Sequence, residues 1–223
     1  MSEAMTSESI VEAEWIVKNY WTRARFAFQT EGGDWSDVDV LAYRPDTKHL
    51  VVAESKVRGR KTDVYAYTKK WRDRYGSMDE FDDGGYFAFL RHLPRLCEDK
   101  VVFPSFRRMV KRVTVQLVCN YVVSPEIQKI TKNEILRSKG VKKFPVPIDL
   151  QLDTTIDVLA RIIELERNSG QGRRYGNPIL DVAREVNRYF YPAVRATRGL
   201  GIEAETVKAH LVSNFLKAIG RDR

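Results

Sequence analysis

The chain has 223 residues, 43% of them hydrophobic, enough for one sizeable core with a helical appendage. No apolar run approaches the roughly 20 residues that cross a bilayer, Met1 to Ile10 lacks a signal-peptide pattern, and Cys97 and Cys119 build neither a disulfide scaffold nor a metal-ligand spacing, so a cytoplasmic protein without a membrane partner is expected. The formal charge of +8 favours an anionic partner, nucleic acid first.

Ser7 to Tyr20 is predicted as a helix, capped by Ser7 or Ser9, with Ile10, Trp15, Ile16 and Val17 on its apolar side and Glu14 one turn after Ile10. Arg25 to Thr30 alternates like a strand, and Glu31-Gly32-Gly33-Asp34 reads as a turn. Two apolar, β-rich runs follow, Ser36 to Tyr43 and Leu50 to Val57. They flank a polar segment holding Pro45 and Asp46, the pattern of a hairpin.

The pairing of that hairpin is legible. Centred between Asp46 and Thr47, it sets Asp39 opposite Glu54 and Asp37 opposite Lys56. Directly opposite residues have Cβ atoms about 5 Å apart. Leu41 then meets Val52 and Tyr43 meets Leu50, while Val38, Val40, Ala42, Val51 and Ala53 fall on the other face. Both faces are apolar over much of their length, as in a sheet covered on both sides. A slip of one residue would separate Asp39 from Glu54 and mix the faces. A surface hairpin with cross-strand salt bridges would also place charges here. Against it, Asp37, Asp39 and Glu54 converge with only Lys56, and carboxylates that close are unfavourable unless a cation sits among them.

Thr62 to Tyr75 is predicted as a helix, with Tyr65, Tyr67, Trp71 and Tyr75 interleaved with Lys69, Lys70, Arg72 and Arg74. Ser77 to Gly85 is an acidic loop without calcium-loop spacing. Tyr86 to Leu96 and Phe103 to Met109 admit a helical reading. Arg112 to Val123 is a buried strand ended by Pro125, and Glu126 to Ser138 a helix. Lys139 to Pro147 is a basic, proline-containing linker. Helices are predicted at Thr154 to Arg167, Leu180 to Tyr191 and Glu203 to Ile219, with a Gly- and Arg-rich loop at Asn168 to Pro178. The order implies an α/β core over residues 1–143 and an α-helical region over 144–223, packed on the core and available for a homodimer.

Other motifs carry less. Gly199-Leu200-Gly201-Ile202-Glu203-Ala204 fits G-x-G-x-x-A, but no strand precedes it. His49, His92 and His210 are scattered and pair with no Cys or second His.

Glu14 on the first helix, Asp39 within Asp37-Val38-Asp39-Val40-Leu41-Ala42, and Glu54-Ser55-Lys56 on the next strand together resemble the PD-(D/E)xK nuclease superfamily, also called restriction-endonuclease-like. The resemblance spans roughly residues 7 to 123; Val38 stands where the name-giving proline would be. It implies a central mixed sheet flanked by helices and a magnesium-dependent nuclease cleaving DNA phosphodiesters, with manganese able to substitute. Asp39 and Glu54 would be metal ligands, Glu14 a further ligand directly or through water, and the Ser55 carbonyl a backbone ligand. Lys56 would position or deprotonate the attacking water. Arg58, Arg60, Lys61, Lys69 and Lys70 follow the site and would contact nucleic acid. A non-catalytic nucleic-acid-binding protein, an RNA-directed nuclease and a structural α/β protein remain as alternatives.

Overall fold

A strand buried on both faces must be covered by helices on both sides, and the hairpin runs already demand that arrangement. The computed structural model describes residues 3–55, 89–119, 124–137, 139–142, 144–168 and 176–184. In it a mixed sheet of five strands is laid out in the order β1 (Trp21–Gln29), β2 (Trp35–Arg44), β3 (His49–Ser55), β4 (Arg112–Cys119) and β5 (Ile148–Thr154). β1, β2 and β3 pair antiparallel; β4 runs parallel to β3 and β5 parallel to β4. The described helices are α1 (Glu3–Val17), α2 (Phe89–Leu96), α3 (Phe106–Met109), α4 (Pro125–Leu136), α5 (Lys139–Lys142) and α6 (Thr155–Asn168).

Helix α1 stops where the chain turns left-handed at Asn19, φ 65. The Tyr20 N–H bonds the Trp15 carbonyl at 3.0 Å and the Asn19 N–H bonds that of Ile16 at 2.9 Å. This pair of bonds closes a helix C-terminus, and asparagine tolerates the left-handed position better than most residues. One sheet face carries the main core, in which Leu41, Leu50, Val52, Val115, Leu117 and Leu152 meet Leu90, Leu93 and Phe106.

The hairpin register is the predicted one. Leu41 pairs with Val52, Ala42 with Val51, Tyr43 with Leu50 and Arg44 with His49. The turn is closed by the Lys48 N–H on the Pro45 carbonyl, with Arg44 bound to Asp46. Elsewhere the boundaries move. β1 starts at Trp21, four residues before the predicted strand, and α1 ends at Val17 rather than Tyr20. The linker read at Lys139 to Pro147 holds the short helix α5.

The larger difference is β5. The sequence reading ends the core at residue 143 and makes the rest helical, yet Ile148–Thr154 is a strand of the same sheet. The compact unit that carries it spans Met1–Ile162, and a second unit spans Ile163–Arg223. Leu150 and Leu152 are buried while Asp149, Gln151 and Asp153 alternate with them, so β5 is a half-polar edge strand. Helix α6 corresponds to the predicted helix at Thr154 to Arg167. In the second unit, residues 178–184 are helical and Arg184 binds Glu166 at 2.9 Å. The predicted helices at Thr62 to Tyr75 and Glu203 to Ile219, and most of that at Leu180 to Tyr191, lie outside the described residues. No helix among the described residues is long and apolar enough to cross a membrane.

His49, at the start of β3, is a satisfied core histidine. Its Nδ1 meets the Tyr20 hydroxyl at 2.6 Å and its Nε2 meets Thr114 Oγ1 at 2.9 Å. Burial, helped by the Arg112 charge, lowers its pKa to about 4. Above pH 6.5 the ring is neutral folded or unfolded and titration is silent. As pH falls through that value only the unfolded chain gains the proton, so stability is lost between about pH 6.5 and 4. The gap from 6.5 to about 4 corresponds to roughly 3 kcal/mol. The cost of His49→Gln, measured by urea unfolding, should therefore shrink by about 2–3 kcal/mol between pH 7 and pH 4.5. An equal cost at both pH values would show that His49 takes up its proton normally.

Candidate functional site

Asp39 and Glu54 lie at the open end of the β2–β3 hairpin. The described β2–β3 pairing ends at Val40↔Ala53, one residue short of them. Beyond that point side chains replace the ladder. The Asp39 N–H donates to Glu54 Oε2 at 3.2 Å, and the Ser55 N–H donates to Asp39 Oδ2 at 2.7 Å. Each carboxylate thus bonds the backbone of the opposite strand, which holds the two acids side by side where the strands part. Both are nearly enclosed, Asp39 at 8% exposure and Glu54 at 3%.

The other flank of Asp39 is irregular too. On β1, Ala24 pairs with Val40 and Phe26 with Val38, while Arg25 between them is left-handed, φ 50. A non-glycine residue in that region inside a strand is strained, and such strain collects at functional sites. The Arg25 guanidinium turns to Glu8 of α1 at 2.9 Å, and its charge also feels Asp39 and Asp37.

Burying an anion costs free energy unless a partner charge or hydrogen bonds compensate. Two acids fixed side by side by N–H donors form an oxygen-rich cradle suited to a hard divalent cation. Magnesium takes oxygen ligands and needs only one or two carboxylates beside water and substrate phosphate. Asp39 and Glu54 therefore fit the expected metal. Lys56 and the basic positions Arg58, Arg60, Lys61, Lys69 and Lys70 lie outside the described residues.

Glu14 is placed differently from the sequence expectation of a third metal ligand. It is fully buried at 0% exposure, and both its oxygens are engaged. Arg161 of α6 binds it through Nε at 2.8 Å and a terminal nitrogen at 3.1 Å; Lys18 binds Oε1 and Gln116 Nε2 binds Oε2 at 2.9 Å. The same guanidinium grips Asp153 of β5 at 2.9 and 2.7 Å, and Gln116 also donates to Asp153. Trp15 Nε1 completes the network on Gln116 Oε1 at 2.8 Å. Burial alone would push the Glu14 carboxyl up, but hydrogen bonds and charge from Arg161 and Lys18 hold it below its ordinary value. Among the described residues no three His, Cys, Asp or Glu side chains stand together as a metal cluster.

The sequence reading missed Gln116, Asp153 and Arg161. Gln116 is a polar residue inside the apolar strand Arg112 to Val123, and it faces Ala53 and Gln151 across the sheet. That anomaly was the available signal. The partner of Gln116 could not be read, because 102 positions separate it from Glu14.

No family model and no curated protein sequence matches the chain. Among solved structures, one of a protein of unknown function aligns with 97% of this chain and 98% of its own at 11% identity, with a TM-score of 0.35, too slight a likeness to bear on fold or function.

Proposed function

We propose that this protein is a divalent-metal-dependent nuclease of the PD-(D/E)xK kind that hydrolyses DNA phosphodiester bonds, acting as an endonuclease. The observation that carries the reading is the pair of enclosed carboxylates, Asp39 and Glu54, cross-bonded through backbone N–H groups where β2 and β3 part. A structural hairpin gains nothing from two buried acids at its open end. A hydrolytic site needs them there. Asp39, Glu54 and the Ser55 carbonyl would hold magnesium or manganese. The metal supplies Lewis acidity at a phosphoryl oxygen and a lower pKa for bound water. Lys56, two residues beyond Glu54 in the sequence, would stabilise the negative charge that develops in the transition state, the role that the resemblance implies. Glu14 contributes by fixing α1 to β4 through the hydrogen bond from Gln116 and to α6 through the ion pair with Arg161.

Plasmid, linear duplex, single-stranded DNA and RNA, each incubated with magnesium, manganese or EDTA, test the reading. Metal-dependent scission of plasmid that EDTA abolishes is expected. Scission of RNA alone would assign the activity to RNA, and binding without scission under every metal would make the protein a binder.

Lys56→Ala should keep DNA binding and lose most cleavage, because its charge is needed in the transition state. Duplex binding should weaken with salt at a slope of about −0.9 per phosphate neutralised. Replacing Lys69 and Lys70 together by Ala should flatten that slope, measured by fluorescence anisotropy from about 50 to 200 mM salt. An unchanged slope would place the nucleic acid on other basic residues.

A further inference from the structure

β1 and β2 both change face at one rung of the sheet. On β1, Arg23 lies over the Phe26 ring at 4.9 Å, so two residues three apart share a face. On β2, Leu41 and Val38, also three apart, both belong to the main core. Strict alternation would put the members of each pair on opposite faces. Ala24↔Val40 and Phe26↔Val38 flank the break, which leaves Arg25 and Asp39 facing one another across it. Arg25 makes the change by turning left-handed, φ 50. Glycine takes that conformation freely, and a residue with a Cβ is strained in it.

The arginine side chain gives little back to the fold. It is 56% exposed, and among the described residues its ion-pair partner is Glu8 of α1. Exposed pairs of this kind contribute little stability. The bond to Glu8 is a two-point grip, Nε on Oε2 at 2.9 Å and a terminal nitrogen on Oε1 at 3.4 Å. A phosphate offers a guanidinium the same pair of oxygens. Glu8, by hydrogen bond and charge, raises the Arg25 pKa, and the charges of Asp39 and Asp37 raise it further. The guanidinium thus stands within the field of the acids at the open end of the hairpin.

We propose that Arg25 is a substrate-binding residue whose guanidinium leaves Glu8 and clamps a backbone phosphate of the DNA held at Asp39 and Glu54. The proposal rests on the nuclease reading of those two acids. Two carboxylates repel an incoming phosphate, and a cation on the neighbouring strand offsets that repulsion. Glu8 holds the guanidinium while the site is empty and is exchanged for phosphate when the duplex arrives. The exchange replaces one charge-assisted pair by another, so it costs little. The strained backbone is what sets a long cationic side chain at the rung of Asp39.

The test compares wild type with Arg25→Gly, Glu8→Gln and, as a charge control on the same strand, Arg23→Gln. Duplex binding is followed by fluorescence anisotropy in EDTA from about 50 to 200 mM salt, and KM and kcat are measured in magnesium. Arg25→Gly should weaken binding about tenfold and flatten the salt slope by about 0.9, the share of one phosphate. Its KM should rise by a similar factor with kcat little changed, the mark of a binding contact. Its melting temperature should stay within about 2–4 °C of wild type, because glycine accepts the left-handed backbone. Glu8→Gln, which releases the guanidinium, should bind about threefold more tightly. Arg23→Gln should keep the wild-type affinity and slope. Equal losses in Arg23→Gln and Arg25→Gly would make the effect one of net charge and overturn the proposal. So would an unchanged slope in a folded Arg25→Gly while the wild type cleaves, a result that leaves the nuclease reading standing. If Arg25→Gly is unfolded, Glu8→Gln decides, and binding no tighter than wild type overturns the proposal. A wild type that binds duplex through Arg25 yet cleaves nothing overturns the nuclease reading alone, and one that binds no DNA overturns both.

Discussion

Asp39→Asn and Glu54→Gln should each reduce metal-dependent DNA cleavage by about 10³-fold or more, roughly 4 kcal/mol of transition-state stabilisation, while leaving the protein folded. These replacements are chosen for what they preserve. Asp39 accepts the Ser55 N–H and Glu54 accepts the Asp39 N–H, and an amide carbonyl can still accept both. The negative charge is what disappears, and charge is what a hard cation requires of its ligands. Titration calorimetry with manganese should show the binding of the wild type and its loss in Asp39→Asn. Circular dichroism and melting curves should remain close to wild type. If both variants cleave at the wild-type rate, or if they bind metal as well as the parent, the two acids are structural and the nuclease reading fails. If they bind nothing because they are unfolded, melting curves will show it, and the milder Asp39→Glu keeps the question answerable.

Arg161→Leu should destabilise the protein by about 3 kcal/mol, more than a typical surface replacement. The reason lies in what it leaves behind. Glu14 is fully enclosed, and Arg161 supplies two of its hydrogen bonds and part of its countercharge. Asp153 loses a two-point partner in the same step. Lys18 and Gln116 remain on Glu14, which keeps the loss below that of a wholly abandoned charge. The Glu14 pKa is lowered in the folded state, so this network stabilises above the unfolded value of 4.5 and its contribution fades as pH falls further. Urea unfolding at pH 7 of wild type, Glu14→Gln, Arg161→Leu and the double variant measures the coupling. A coupling near zero would show that the two side chains do not support each other. Cleavage by Glu14→Gln at a temperature where it is fully folded gives an independent check. A rate near wild type is expected if Glu14 acts through the packing of α1, and a rate as low as that of Asp39→Asn would return it to the reacting centre.

The described part of the hairpin was legible in the chain, while the predicted pairing of Asp37 with Lys56 lies outside the described residues. The hairpin's turn residues, the two apolar runs and the demand that hydrophobic faces coincide leave one register, the one observed from Val40↔Ala53 to Arg44↔His49. That register alone brings Asp39 beside Glu54. Short-range pairing of this kind is settled by sequence because partners lie within about fifteen residues and a slip of one position flips a whole face. β1 and α1 were legible as elements but not at their ends, since Trp21 to Ala24 alternate weakly and lie mostly exposed.

What the tertiary structure decided is everything that depends on which elements meet. Ile148–Thr154 alternates apolar and polar residues, yet only the pairing of β5 with β4 makes it a sheet strand rather than an extended linker. Glu14 carried the same local signature as a metal ligand or a buried ion-pair partner, a carboxylate on an apolar helix face. The choice rests on Arg161, 147 positions away, which docks its guanidinium on Glu14 and Asp153 together. No periodicity encodes such a contact. It follows from the sheet order, which sets β4 and β5 side by side, and from the free-energy cost of enclosing a carboxylate without a partner.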